Sequence, residues 1–182
     1  MKIIVLDRDG VINEDSDDYI KSPEEWLPVI GSMEALAALK QRGYHVAVAT
    51  NQSGLGRQLF DEIALANIHH KMCSMAEDNG GFIDGIFYCP HLPDAGCHCR
   101  KPATGLLEQI ESELNVELAG SFFIGDSLKD LQAALAFNMQ PVLVRTGKGL
   151  ITESRLHELE EGSVQVFDCL AHFVKHGLND HV

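Results

Sequence analysis

The chain reads as an α/β protein, a doubly wound (Rossmann-like) parallel sheet with helices on both faces. Three observations predict this. Short β-branched apolar runs alternate with stretches of helical periodicity along the chain. The 182 residues suit one domain spanning 1–182. Polar clusters also follow three of the expected strands directly, at Asp7-Arg8-Asp9, Thr50-Asn51-Gln52-Ser53 and Gly125-Asp126-Ser127. In open parallel sheets ligands bind beyond the carboxyl ends of the strands, so those clusters mark a site.

The elements follow in order. Lys2–Leu6 is a short apolar run and predicts a buried strand. Ser32–Arg42 carries apolar residues at helical spacing, with Gly43 as a stop. Tyr44–Thr50 predicts the second strand and Asp61–Asn79 a long helix ended by Gly80-Gly81. Phe82–Tyr88 is the third strand and Gly105–Leu114 the next helix. Ser121–Gly125 and Pro141–Val144 read as strands around the helix Ser127–Phe137. Val164–Phe167 and Cys169–His176 supply a last strand and a closing helix.

Composition excludes several classes. Lys and Arg number 14 against 27 Asp and Glu, giving a net charge of −13. That argues against a protein that binds nucleic acid through its own charge. The 45% apolar content supplies a core. No apolar run approaches the ~18 residues of a membrane span, and the start MKIIVLDRDG is neither signal peptide nor anchor. Five cysteines without an export signal suggest the reducing cytoplasm.

The strand-end acids carry the chemistry. Asp7 and Asp9 leave the first strand as D-R-D-G, with Gly10 allowing a tight turn. Asp126 follows another strand, and Asp130 lies one helical turn on, on the same face. Carboxylates meeting at one sheet edge repel each other, which raises their pKa values or demands a cation. Oxygen-only ligands select a hard ion such as magnesium, which leaves room for a substrate phosphate. A carboxylate can attack phosphorus, and its neighbour two residues on can move the proton. Thr50 offers a hydroxyl and Lys101 a charge for phosphoryl oxygens.

A second cluster lies at 89–99, where Cys89, His91, Cys97 and Cys99 provide three thiols and an imidazole. Zinc prefers such a set in a closed, structural site, and closing so short a loop costs little entropy. A C-x-C redox pair is the competing reading, but His91 suits a metal better. His98 sits between two better ligands and is expected to point away. The zinc loop immediately precedes Arg100-Lys101 and is expected to turn both towards the phosphate.

With these residues in place, DRDGVIN (7–13), ATNQSG (49–54), CRKP (99–102) and IGDSLKD (124–130) resemble the four motifs of the haloacid dehalogenase (HAD) phosphohydrolases. The resemblance implies a HAD-type fold without a large cap. It implies Asp7 as nucleophile and Asp9 as general acid/base, with Thr50 and Lys101 on the transferring phosphoryl group. It implies magnesium held by Asp7, the carbonyl of Asp9 and Asp126, with Asp130 supporting from behind. The cysteine loop narrows the resemblance to the family's sugar-bisphosphate phosphatases, with histidinol-phosphate phosphatases the alternative. It then implies substrate contacts from Asn51, Gln52, Ser53, Arg100, Asp15 and Tyr19. Many members carry a lysine where this chain has Ser127, which weakens the carry-over of a substrate-binding lysine there, with Lys129 or Lys148 the candidates to compensate. The expected partner is a small-molecule sugar bisphosphate met by a monomer, without nucleic acid or membrane. A zinc-stabilised binding module is the distant rival.

Other signals are set aside. Gly54-Leu55-Gly56 lacks the third glycine of a dinucleotide fingerprint. His69-His70 reads as exposed, and Cys73 and Cys169 as core or near-core thiols. Trp26 could pack or anchor a loop.

Overall fold

A computed structural model describes residues 1–159 and 162–178. Six strands form one parallel sheet: β1 (Lys2–Leu6), β2 (Tyr44–Asn51), β3 (Gly85–Cys89), β4 (Phe122–Gly125), β5 (Gln140–Val144) and β6 (Gln165–Phe167). Their spatial order is β3-β2-β1-β4-β5-β6. The chain winds outwards from β1 to β3, then returns to the other side of β1 as β4. The switch point therefore lies between β1 and β4, where a crevice opens at the carboxyl edge.

The helices are α1 (Ser32–Gln41), α2 (Ser53–Gly56), α3 (Glu62–Asp78), α4 (Gly105–Leu114), α5 (Leu128–Ala136), α6 (Gly149–Glu153) and α7 (Leu170–His176). Strand alternation sorts them onto two faces. Ile4, Leu6, Val46 and Val48 point to one face and pack with Leu36 of α1, Ile68 of α3 and Phe173 of α7. Ile3, Val5, Ala47 and Ala49 point to the other and meet Leu106 and Ile110 of α4 and Ala133 of α5. Both faces are covered, so these strands are apolar throughout. Each fully buried aliphatic side chain contributes about 1.5–3 kcal/mol.

Most expected elements form within a residue or two. The strand expected from Phe82 starts instead at Gly85. The reason is Asp84: its N–H donates to the Val46 carbonyl at 2.8 Å, and its carboxylate accepts the Val46 N–H at 2.8 Å. One residue takes both Val46 backbone groups, so the regular ladder begins only beyond it, at Ala47↔Gly85. Helices α2 and α6 and the single 3-10 turns Pro23–Glu25 and Leu156–Glu158 were not anticipated. They are too short to show a period. Trp26 packs: it is wholly buried in the α1/α3/α7 core. Lys71 of α3 donates to the carbonyls of Pro23 and Trp26 at 2.6 and 2.8 Å, tying the 3-10 turn down. Among the described residues no helix is long and apolar enough to cross a membrane.

Candidate active site

β1 and β4 run out at the switch point and deliver two carboxylates side by side. Asp7 extends the ladder, its N–H donating to the Ile124 carbonyl at 2.9 Å. Asp126 directly follows β4, and Asp130 lies in the first turn of α5. Oxygens of Asp7, Asp126 and Asp130 lie within 4.8 Å of one another. Burial and the Asp130 charge push the Asp7 carboxyl up to about 7, against the pull of Lys101. Burial, Asp7 and Asp130 push Asp126 up to about 8. A hard divalent cation relieves such crowding, so the donor set fits magnesium.

The protein already satisfies part of this charge. Asp130 completes a capping box, accepting the Ser127 N–H at 3.1 Å and its hydroxyl at 2.8 Å. Lys101, itself 2% exposed, reaches Asp130 at 2.6 Å, Asp7 at 3.0 Å and the Ala49 carbonyl at 2.7 Å. Asp126 Oδ2 accepts the Lys148 N–H at 2.8 Å, and its carbonyl accepts the Thr152 hydroxyl at 2.7 Å. Asp130 is thus held mainly by protein donors, while Asp7 Oδ2 and Asp126 Oδ1 accept no hydrogen bond among the described residues. Those two oxygens are available to a cation or to chemistry.

Asp9 has a different environment. Its Oδ1 accepts Arg8 Nη2 at 2.8 Å, Arg8 Nε at 3.1 Å and Asn13 Nδ2 at 2.9 Å. Its Oδ2 accepts Gln52 Nε2 at 2.9 Å. Burial raises the Asp9 carboxyl, but Arg8, Asn13 and Gln52 outweigh it and hold the group below its ordinary value. Gln52 also donates to the Thr50 hydroxyl at 3.0 Å. Asn51 uses its amide on the Lys101 backbone, accepting the N–H at 3.0 Å and donating to the carbonyl at 3.1 Å. Asn51 therefore anchors Lys101.

Around the carboxylates a cleft of about 900 Å³ opens. Asp15, Tyr19, Ser53 and Arg100 line it, all expected from the sequence. Lys129, Lys148 and Arg155 add positive charge. Burial and the charges of Arg100 and Lys148 lower the Lys129 ammonium, so these cations share one region.

Sequence reasoning missed Arg8, Asn13, His69 and Thr152. Arg8 is fully buried and pairs with Asp9. The signal was an arginine between two acids just beyond a strand whose residues Ile3–Leu6 are all buried. His69 is half-buried rather than exposed: Arg8 Nη1 donates to its Nε2 at 3.2 Å, and the Tyr88 ring lies 6.1 Å away. Burial, with Arg8 beside it, pushes its imidazole down to about 3.

The second cluster assembles at the end of β3. Cys89 Sγ lies 3.6 Å from His91 Nδ1, 3.6 Å from Cys97 Sγ and 3.2 Å from Cys99 Sγ. His91 Nδ1 lies 3.2 Å from Cys99 Sγ. Tetrahedral zinc with ~2.3 Å Zn–S bonds separates its ligands by about 3.7 Å, so the donors are close to that spacing. His98 turns away and meets Glu108 at 2.8 Å. The Arg100 guanidinium reaches the His91 carbonyl at 3.4 Å.

A parallel sheet ending in D-x-D, a buried lysine and a second acidic strand end define a HAD-like phosphohydrolase. The HAD-hydrolase-like family matches residues 98–172. The chain is similar to D-glycero-beta-D-manno-heptose-1,7-bisphosphate 7-phosphatases. It is 50% identical to that of Neisseria meningitidis over 100% of this chain and 97% of the relative. It is 51% identical to that of Pseudomonas aeruginosa over 93% of each. The D,D-heptose 1,7-bisphosphate phosphatase of B. bronchiseptica, solved with magnesium and phosphate, superposes with a TM-score of 0.92 at 48% identity, covering 96% of this chain and 97% of that one. The chain belongs to the D-glycero-beta-D-manno-heptose-1,7-bisphosphate 7-phosphatase family.

Proposed function

We infer that this protein removes the 7-phosphate from D-glycero-D-manno-heptose 1,7-bisphosphate. The observation that carries the reading is Asp7 held by Lys101 beside Asp126, with Asp9 next to it in the same cleft. Full-length 50% identity to a named heptose bisphosphatase supports the substrate. Family membership then implies a role in supplying heptose for lipopolysaccharide, in the cytoplasm.

A carboxylate oxygen of Asp7 attacks phosphorus. The ester P–O bond breaks as Asp9, which must first take up a proton against the pull of Arg8, Asn13 and Gln52, gives that proton to the departing sugar oxygen. Asp9 then takes a proton from water, and the resulting hydroxide attacks the aspartyl-phosphate. The Asp7–phosphorus bond breaks, releasing inorganic phosphate and restoring both side chains. Lys101 and Thr50 hold the phosphoryl oxygens. Asp7, the Asp9 carbonyl and Asp126 hold magnesium, which neutralises phosphoryl charge when bound. Four protein donors would leave a zinc ion at 89–99 no open position, so such an ion would be structural. Arg100, Lys129 and Lys148 stand where the spared phosphate would lie, and Lys129 or Lys148 takes the place of a lysine at 127. Asp15, Tyr19, Gln52 and Ser53 face the sugar. The enzyme works as a monomer.

The test is phosphate release from the heptose bisphosphate, histidinol phosphate, fructose 1,6-bisphosphate and a 3′-phosphorylated oligonucleotide, with and without magnesium. Magnesium-dependent preference for the heptose is expected, and D7N should abolish turnover while the protein stays folded. Preference for histidinol phosphate keeps the chemistry and overturns the substrate. Silence on all four, with metals loaded, points first to another phosphate ester and then to the binding module.

A further inference from the structure

The Asp9 carboxylate is gripped unusually. Arg8 gives it two hydrogen bonds, but both converge on one oxygen, Oδ1. A fork-to-fork arginine–carboxylate pair uses both oxygens and fixes the relative orientation of the two planes. Convergence on one atom does not: it leaves the guanidinium a pivot about Oδ1. The third corner of that guanidinium, Nη1, reaches His69 Nε2 at 3.2 Å. His69 comes from α3, 61 residues away in sequence. The Arg8 side chain has no exposure to water, so no solvent substitutes for this partner. Losing it would leave a buried N–H unpaired, a situation proteins avoid.

The geometry points to His69 as a positioning residue: through Arg8 it fixes the plane of the Asp9 carboxylate and keeps Oδ2 aimed into the cleft. This rests on the reading of Asp9 as the proton-transferring group. Arginine only donates, so His69 Nε2 must accept, and its proton must sit on Nδ1. Gln52 on Oδ2 and Asn13 on Oδ1 steady the carboxylate, but neither touches the guanidinium.

The experiment compares two esters in H69L and H69Q, with magnesium present. kcat/KM covers the steps up to cleavage of the ester bond. The sugar ester needs Asp9 to protonate its departing oxygen, whereas p-nitrophenyl phosphate releases a stable phenolate that needs no proton. H69L should lower kcat/KM for the heptose bisphosphate by about 10-fold and that for p-nitrophenyl phosphate by less than about 2-fold. H69Q keeps an acceptor for Arg8 and should restore the sugar ester. Nitrogen NMR of the imidazole ring in the wild-type protein should show the Nδ1–H tautomer of His69. Equal losses on both esters, no loss on either, or an Nε2–H tautomer overturns the role and leaves the phosphatase reading intact. A wild-type protein inert towards both esters overturns that reading and takes the positioning role with it.

Discussion

Gly10 shows how closely the site is built around one carboxylate. Its φ of +81° is one that L-residues resist, and a Cβ there would land on the Asp126 carboxylate. Gly43 has a similar φ of +76° with nothing within 4 Å. The pair separates backbone cost from site damage. G43A should cost about 1–2 kcal/mol in urea melts and leave activity unchanged. G10A should cost more and also raise the magnesium concentration for half-maximal activity, by about 10-fold, because Asp126 must move. Equal magnesium requirements in the two variants would refute this. At this scale the sequence was most readable where a residue type alone implies chemistry. Asp7, Asp9 and Asp126 sit at strand ends, and that placement follows from the alternation around them. Arg8 and His69 were not readable. Their meaning lies in a contact between residues 61 apart, and no local pattern encodes it.

Helix α6 illustrates the same point one level up. It spans only Gly149–Glu153, too short for a hydrophobic period, yet it decides how Asp126 stands. Thr152 holds the Asp126 carbonyl, and the Lys148 N–H at its start holds the carboxylate. The helix is in turn tied to the sheet. Arg145, just past β5, reaches Glu153 of α6 through Nε and Nη2 at 2.8 Å each, and Asp168 beyond β6 through Nη1 at 2.7 Å. Hydrogen bonds from Arg145 hold both carboxyls below their ordinary values. A carboxyl lowered on folding stabilises the protein above the unfolded carboxylate range, and that contribution is lost as pH falls through the folded value. These groups are exposed, so the effect is small. R145M should lower the melting temperature by a few degrees near neutral pH, and the gap from wild type should close as the pH drops below about 4. A gap that persists unchanged in acid would show that Arg145 acts by packing. The long elements, by contrast, were legible: α3 and the β1–β2 pair carry enough residues for period and burial to agree.

Across the whole molecule, two groups of side chains able to hold a metal sit at the same edge of the sheet but depend on different supports. The carboxylates stand on β1 and β4, at the centre of the sheet, and the cysteine loop hangs from β3 at its rim. The sequence suggested that zinc would turn both Arg100 and Lys101 towards the phosphate. The contacts separate the two. Lys101 is fixed without the loop, by Asn51 on both its backbone groups and by Ala49, Asp7 and Asp130 on its ammonium. Among the described residues the Arg100 guanidinium has one hydrogen bond, 3.4 Å to the carbonyl of His91, itself one of the four cluster residues. If zinc fills the cluster, removing it loosens the support of Arg100 and leaves that of Lys101. In the proposed mechanism Lys101 serves the reacting phosphoryl group, whose stabilisation appears in kcat. In the same proposal Arg100 serves binding of the distant phosphate, which appears in KM when it helps ground and transition states alike. Protein stripped of zinc and refilled with magnesium should therefore show KM for the heptose bisphosphate raised by about 10-fold, with kcat within about 3-fold of the intact protein. R100A in zinc-loaded protein should reproduce the same split. A zinc-free protein that loses kcat instead would mean that the loop also carries Lys101, and that the Asn51 clamp does not hold without it.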